Sequence, residues 1–289
     1  FHLSTDGGKT FRTAAAVGVH SDMHALWVNP KDANHLVLGT DGGLFVSKDQ
    51  GKNWAMKRGM VISQFYGVAV DTRTPYRVYG GLQDNGSWSG PSATVHPDGV
   101  TVADWKRFGG ADGFQVAVDR EDPDIMYYEI GFGGLNRMNL KAAKGDTHKK
   151  IRPGPATERP VPGQPPGAAG PNRFNWNAPF FLSPHNPKTI YFGSQSVWRS
   201  SNQGDSWTKM SPDLSRPGKT TLNGARTILS LAESPVKGLV LWAGTDDGNV
   251  WVSKVMRGTW TEVGKNIEDI PGERAISKIE CDHTDKDTA

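Results

Sequence analysis

Apolar stretches and turn-forming residues alternate along this chain in a pattern that returns about every 40–50 residues. Residues 25–49 read ALWVNPKDANHLVLGTDGGLFVSKD. This is an apolar strand, a Pro/Asp/Asn turn, a second strand ending in Gly, a short polar turn and a third strand. Residues 178–202, APFFLSPHNPKTIYFGSQSVWRSSN, repeat it, and so do 67–86, 114–134 and 229–254. First strands start near Ala25, Gly67, Phe114, Ala178, Leu229 and Ala275, in steps of 42, 47, 64, 51 and 46 residues.

An eight-residue phrase follows the third strand in three copies: STDGGKTF at 4–11, SKDQGKNW at 47–54 and SSNQGDSW at 200–207. A worn fourth copy, SKVMRGTW, covers 253–260. In the frame Ser-x-Asp/Asn-x-Gly-x-x-aromatic each position has a local task. Asp or Asn accepts hydrogen bonds from turn amides. Gly permits positive φ in a tight hairpin. The closing aromatic covers the turn from the core, and Trp54, Trp207 and Trp260, with Trp27 further in, read as core positions. The repeat predicts an all-β fold, a β-propeller of four-stranded antiparallel blades with the phrase as the hairpin from third to fourth strand. About five complete blades and a half-blade at each end are expected. An antiparallel sandwich explains short strands but not a repeated four-strand unit.

The fold then sorts the loops by parity. With strands named A (innermost) to D (outermost), D–A and B–C connections leave one face, A–B and C–D connections the other. The motif hairpins lie on the second face, so Asp6, Asp49 and Asn202 read as fold staples. The first face is polar and is the expected site of ligand contact. Its loops place Asp22, His24, Asp41, Gln83, Asp84, Asp112, Asn175 and Trp176 near one mouth, with Asn85 and Arg226 beside them. Carboxylates, amides and aromatics together suit a polyhydroxylated or peptide ligand. Turn chemistry alone also explains Asp41, Asp84 and Asp246, which precede Gly or another turn residue. Trp176, between Asn175 and Asn177, reads equally as a stacking platform or a core residue. His20, Asp22 and His24 have metal-ligand spacing, but no further His or Cys cluster supports them, and neither a metal nor a cofactor is expected.

Composition narrows this little. The 289 residues include 35 Gly and 19 Pro, as turn-rich β proteins do. A net charge of +3 is too small and scattered for nucleic acid. No apolar run approaches a membrane span. The lone Cys281 excludes an internal disulfide. Residues 151–172, IRPGPATERPVPGQPPGAAGPN, cannot form a ladder and are expected as an inter-blade insertion, a solvated linker or a flap beside the mouth.

The repeated phrase is identified as the Asp-box, or BNR, hairpin. Across most of its length the chain resembles the bacterial Asp-box propellers related to sortilin-type receptor domains and often labelled glycosyl hydrolases. HSDMHALWVNP, YGGLQDNGSWSGPS, GGADGFQVAVDREDPDIMYYE and RFNWNAPFFLSPHNPKTIYFGS carry the likeness. The resemblance implies ligand binding, polysaccharide cleavage or assembly assistance, and a secreted or periplasmic setting. The chain lacks the Cys-rich module that follows the sortilin propeller, and no sialidase-type arginine triad with a Tyr nucleophile is assignable. Residues 1–289 are expected to form one propeller domain. Either its terminal half-blades pair, or it is a slice of a longer propeller; the second is preferred, because such propellers are often long.

Two function classes follow. One is a binding module for a polypeptide or carbohydrate. The other is a glycoside hydrolase, which needs paired carboxyl groups about 6.5–9.5 Å apart for inversion, supplied from Asp22, Asp41, Asp84 and Asp112. Two carboxyls facing each other across an open groove would favour the enzyme; carboxyls tied to their own turn amides favour binding.

Overall fold

The computed structural model describes residues 2–13, 17–59, 63–143, 147–154, 172–216, 226–255, 259–268 and 274–289. They form two units, Phe1–Gln64 and Phe65–Ala289. The first holds a hairpin, β1 (His2–Leu3) and β2 (Arg12–Thr13), and one four-stranded sheet. That sheet, blade 1, is β3 (Met23–Val28), β4 (Leu36–Thr40), β5 (Gly43–Ser47) and β6 (Ala55–Met56).

The second unit holds four more sheets of the same order. Blade 2 is β7 (Phe65–Val70), β8 (Arg77–Leu82), β9 (Gly86–Pro91) and β10 (Lys106–Gly109). Blade 3 is β11 (Val116–Val118), β12 (Ile125–Glu129), β13 (Leu135–Asn139) and β14 (His148–Lys150). Blade 4 is β15 (Phe180–Leu182), β16 (Ile190–Gly193), β17 (Val197–Ser200) and β18 (Thr208–Lys209). Blade 5 is β19 (Ile228–Glu233), β20 (Leu241–Thr245), β21 (Val250–Ser253) and β22 (Thr261–Glu262). Every pairing is antiparallel, and the described residues contain no α-helix, only 3-10 turns at Val102–Asp104 and Gly264–Asn266. The fold is the β-propeller of four-stranded blades that the repeat predicts.

Burial follows position in the blade. All five residues of β12 and all four of β16 are buried, as second strands covered on both faces must be. The short β6 and β18 are exposed. In the second unit the cores lie between sheets. Tyr79, Val116, Met126 and Tyr128 fill one, Tyr127, Phe174, Phe180 and Phe192 the next, and Tyr191, Val197, Leu241 and Trp260 the third. Each such aromatic stabilises by about 1.5–3 kcal/mol through the area it removes from water.

The A–B turns share one construction. Asn29, Asp71, Asp119, Ser183, Ser234 and Asp282 each donate their N–H to the carbonyl six residues on, those of His35, Arg77, Ile125, Thr189, Val240 and Thr288. Each side-chain oxygen also accepts the N–H two residues on. This recurring side-chain cap fixes the turn without a conserved residue identity, since Asn, Asp and Ser all supply the acceptor.

The motif hairpins are equally uniform. The Ser hydroxyl accepts the Gly N–H at 2.8, 2.9 and 2.8 Å in the copies at Ser4, Ser47 and Ser200. The Asp or Asn carbonyl-type oxygen accepts the N–H four residues on, from Thr10, Asn53 and Ser206. Gly8, Gly51 and Gly204 have φ of 87°, 76° and 86°, and the preceding Gln50 and Gln203 are left-handed too. These bonds hold the Asp6 and Asp49 carboxyls down at about 2, with Thr10 and Asn53 the largest contributors. Part of the worn copy, 256–258, lies outside the described residues, as do 155–171 of the Pro-rich insertion.

One core expectation fails. Trp27 is 50 % exposed, its ring edge-on to His35 at 5.8 Å. It sits on β3, an edge strand whose unit contains no second four-stranded sheet to cover it.

Candidate functional site

In the second unit the D–A and B–C connections meet on one face and bond to each other. Asp112, on the loop before blade 3, accepts the N–H of Asp84 from the B–C turn of blade 2 at 2.9 Å. Gly113 N–H donates to Leu82 O, and Phe132 N–H to Trp176 O. Thr227 N–H donates to Asp246 Oδ1 at 2.8 Å, and Asp246 N–H returns to Thr227 O. Parity therefore places these loops together, as the sequence pattern requires.

Backbone strain concentrates on that face. Among the described residues seven non-glycine residues have positive φ, and Asp84 (59°), Ala111 (53°), Phe132 (51°) and Arg226 (48°) are four of them. Each lies in a D–A or B–C loop of the second unit, where regular hairpin chemistry would have used Gly. Left-handed backbone at such residues costs of order 1 kcal/mol and persists where surrounding bonds over-determine it.

Beside Asp84 and Asp112 sits a cluster of three rings. Tyr66 stacks on the fully buried Phe114 at 4.8 Å, and Trp176 meets Phe114 edge-on at 5.0 Å and Tyr66 at 5.6 Å. Tyr66 and Trp176 are half-buried, so each keeps part of its surface in solvent. Burial raises the Tyr66 phenol above its ordinary value, and the charges of Asp112 and then Asp84 raise it further.

The remaining predicted residues divide as follows. Gln83 is half-buried, and its carbonyl accepts from Asn85 Nδ2 at 2.9 Å. Asn175 is 2 % exposed, and its amide donates to Thr227 Oγ1 at 3.2 Å, so it ties two loops from within. Asp22, His24 and Asp41 belong to the first unit. There Asp41 N–H donates to Asp22 O, and His24 Nε2 lies 2.6 Å from Asp41 Oδ1. His24 lies within β3, which begins at Met23, and not in the loop before it. His20 Nδ1 is 3.5 Å from Asp22 Oδ2.

Sequence reasoning passed over Tyr66, Phe114 and above all Glu129. Glu129 ends β12 with no exposed surface, and its Oε1 accepts the N–H of Gly133 at 3.1 Å. Burial drives its carboxyl well above the usual range; the amides of Gly133, Ala178 and Gly131 pull it back only in part, and Asp112 raises it further. A signal was present in the repeat. Two residues after the paired Val37, Tyr79, Tyr191 and Trp242 the other blades carry Gly39, Gly81, Gly193 and Gly244; after Tyr127, blade 3 carries Glu129.

No protein-family model matches the chain, and no curated protein matches it in sequence. Among solved structures it is similar to an ancestral GH74 enzyme, with TM-score 0.48 and 14% identity over 88% of this chain and 32% of that one. It is similar to the GH74 xyloglucanase from Xanthomonas campestris, with TM-score 0.43 and 20% identity over 80% and 36%. It is also similar to the extracellular domain of BT4673 from B. thetaiotaomicron, with TM-score 0.49 and 12% identity over 95% and 32%. The chain thus spans about a third of the length of each. Among the described residues no helix is long and apolar enough to cross a membrane.

Proposed function

We propose that the loop face of the second unit, around Tyr66, Gln83, Asp84, Asp112 and Trp176, is a ligand-recognition surface that binds a polypeptide or carbohydrate without cleaving it. The observation that carries this reading is the bonding of the carboxyl groups. Asp112 accepts a turn amide from Asp84, and Asp246 accepts one from Thr227. Carboxylates committed to main-chain donors are fixed acceptors, suited to hydroxyl, amide or ammonium groups of a ligand and poor at shuttling protons.

The hydrolase reading needs a protonated acid within reach of a scissile bond. Glu129 is a carboxyl whose burial pushes it well above the usual range, and it has no exposed surface from which to reach a scissile bond. Binding therefore fits the geometry better.

The test is a glycan array run beside a peptide array, with the whole chain and two variants. Asp112→Asn keeps an oxygen for the Asp84 amide and removes the charge; Trp176→Ala removes a ring. Each should weaken a captured ligand by roughly tenfold or more, the value of one charge-assisted hydrogen bond, at unchanged melting temperature for Asp112→Asn. Unchanged binding in both variants, or loss only on disrupting the Asp49 or Asn202 hairpins, would overturn the proposal.

A further inference from the structure

Glu129 stands where four other blades have glycine, and the reason for glycine there is visible in two of its neighbours. A Cβ on Gly81 would meet Phe114 O at 2.1 Å, and one on Gly244 would meet Ile276 Cγ2 at 2.4 Å. Phe114 leads into blade 3 and Ile276 lies in the chain that follows blade 5, and each segment leans onto the glycine of the blade before it. In blade 3 the space holds a carboxyl group instead, and the following segment, at Ala178, turns an amide towards it.

From there the contacts run directly into the ring cluster. Glu129 O accepts the N–H of Phe114, and Glu129 N–H donates to Gln115 O. Its Oε1 accepts from Gly133, fixing the 131–134 loop. Within that loop Phe132, held at φ 51°, donates its N–H to Trp176 O. Gly131 packs so closely that a Cβ there would lie 3.2 Å from Phe114 Cε2 and 3.5 Å from Trp176 O. Glu129 thus meets the backbone of Phe114 and Gln115 through its own backbone, while its side chain holds the 131–134 loop, whose Phe132 amide reaches Trp176 O.

We infer that Glu129 is the positioning residue of this face: its buried side chain, by holding the 131–134 loop, sets the arrangement of Trp176 against Phe114 and Tyr66, and a full negative charge there loosens that arrangement. The inference rests on the loop-face reading above and concerns how that face is regulated. The charged group facing Glu129 is Asp112, from the loop before β11. The following segment and the 131–134 loop present the amides of Ala178, Gly131 and Gly133. Oε2 has no hydrogen bond of good geometry among the described residues. A second negative charge beside Asp112 at a fully buried position is costly, and the loop can relieve it by opening. The ordered arrangement is therefore the low-pH form, and it is lost as pH rises through the folded-state value of Glu129.

Near-ultraviolet circular dichroism of the whole chain reads ring arrangement with no ligand. Between pH 4 and 9 the wild type should lose aromatic signal while its far-ultraviolet spectrum stays unchanged. Glu129→Gln, neutral and of the same shape, should hold the low-pH spectrum throughout, and Trp176→Phe should remove most of the pH-dependent part. A wild-type signal flat across that range, or a Glu129→Gln signal that still titrates, overturns the inference. Because no ligand enters the measurement, a failed array leaves this result standing, and a failed titration leaves the binding surface standing.

Discussion

The indole N–H of Trp207 donates to the carbonyl of Ile151 at 2.6 Å, one residue beyond the outer strand of the preceding blade. Trp260 does the same to Met210 at 3.0 Å, at the equivalent place one blade later. The closing aromatic of the motif is therefore a bolt between sheets as well as a cover for its own turn. Gly204 shares the joint, since a Cβ there would lie 2.5 Å from Ile151 Cδ1.

Trp260, 7 % exposed, separates the two contributions. Trp260→Phe loses the hydrogen bond and leaves Met210 O unpaired, at a cost of about 1–2 kcal/mol. Trp260→Ala adds a cavity and should cost roughly 3–5 kcal/mol. Urea unfolding with a common slope measures both; equal midpoints for the two variants would show that the bond, and not the ring, accounts for the whole effect.

Within the hairpin the second oxygen of the acid decides which substitution is tolerated. Asp49 Oδ2 accepts from Asn53 Nδ2 at 2.7 Å, whereas Asn202 Nδ2 donates to Ser206 Oγ at 2.9 Å. Asp49→Asn alone removes the charge and obliges Asn53 to turn its amide oxygen towards the new Nδ2, and should lower the melting temperature. Adding Asn53→Ser rebuilds the arrangement found at Asn202 and should restore it. Asp49 is also held at about 2 against an ordinary 3.8. Its contribution is complete above pH 3.8 and is lost as pH falls from 3.8 towards 2, so the double variant should shed that part of the acid dependence. A cycle of melting temperatures at pH 7 and pH 2.5 reads both effects, and additive single effects would contradict the pairing.

Glu129 predicts the opposite slope. Its folded-state value lies well above the ordinary 4.5, because burial disfavours the charged form. The native state therefore holds its proton more tightly than the unfolded chain, and this contribution is complete below pH 4.5 and lost as pH rises through the raised value. Glu129→Gln carries no such dependence. Its melting temperature should match the wild type near pH 4 and exceed it increasingly towards neutral pH. Calorimetry at a series of pH values gives the difference, and parallel curves would refute the assignment.

The architecture was legible because the signals that specify it are local and repeated. Ser4, Ser47 and Ser200 open the same hairpin, and Asp71 and Asp119 cap the same turn, so spacing alone counts the blades. The loop face was legible only as a set of polar residues. That Asn175 turns inward to Thr227 while Asp112 reaches the Asp84 amide depends on contacts between blades, which no single repeat encodes. Nothing local singles out Tyr66 or Phe114 within the D–A segments, and their ring contacts with Trp176 arise only when blades 2, 3 and 4 stack. Trp27 failed for a related reason: its repeat position predicts a core, but burial depends on what covers the strand.

Tyr127 and Tyr191 occupy the same register position in neighbouring blades, opposite Ala117 and Phe181, and both are 1 % exposed or less. Their hydroxyls have different fates. Tyr191 donates to Glu233 Oε1 at 3.0 Å, within a network in which Ser183 donates to Oε2 and Leu239 N–H to Oε1. Tyr127 Oη has no hydrogen-bond partner among the described residues, and burial raises both phenols above their ordinary range. A buried hydroxyl without a partner carries its desolvation cost uncompensated, whereas one bonded to a carboxylate stabilises by about 1.5–3 kcal/mol. Tyr191→Phe should therefore destabilise by roughly that amount, and Tyr127→Phe should be neutral or stabilising although the two substitutions remove the same atom. Denaturant midpoints of the two single variants decide the matter. A loss at Tyr127→Phe equal to that at Tyr191→Phe would mean that its hydroxyl is satisfied by ordered water.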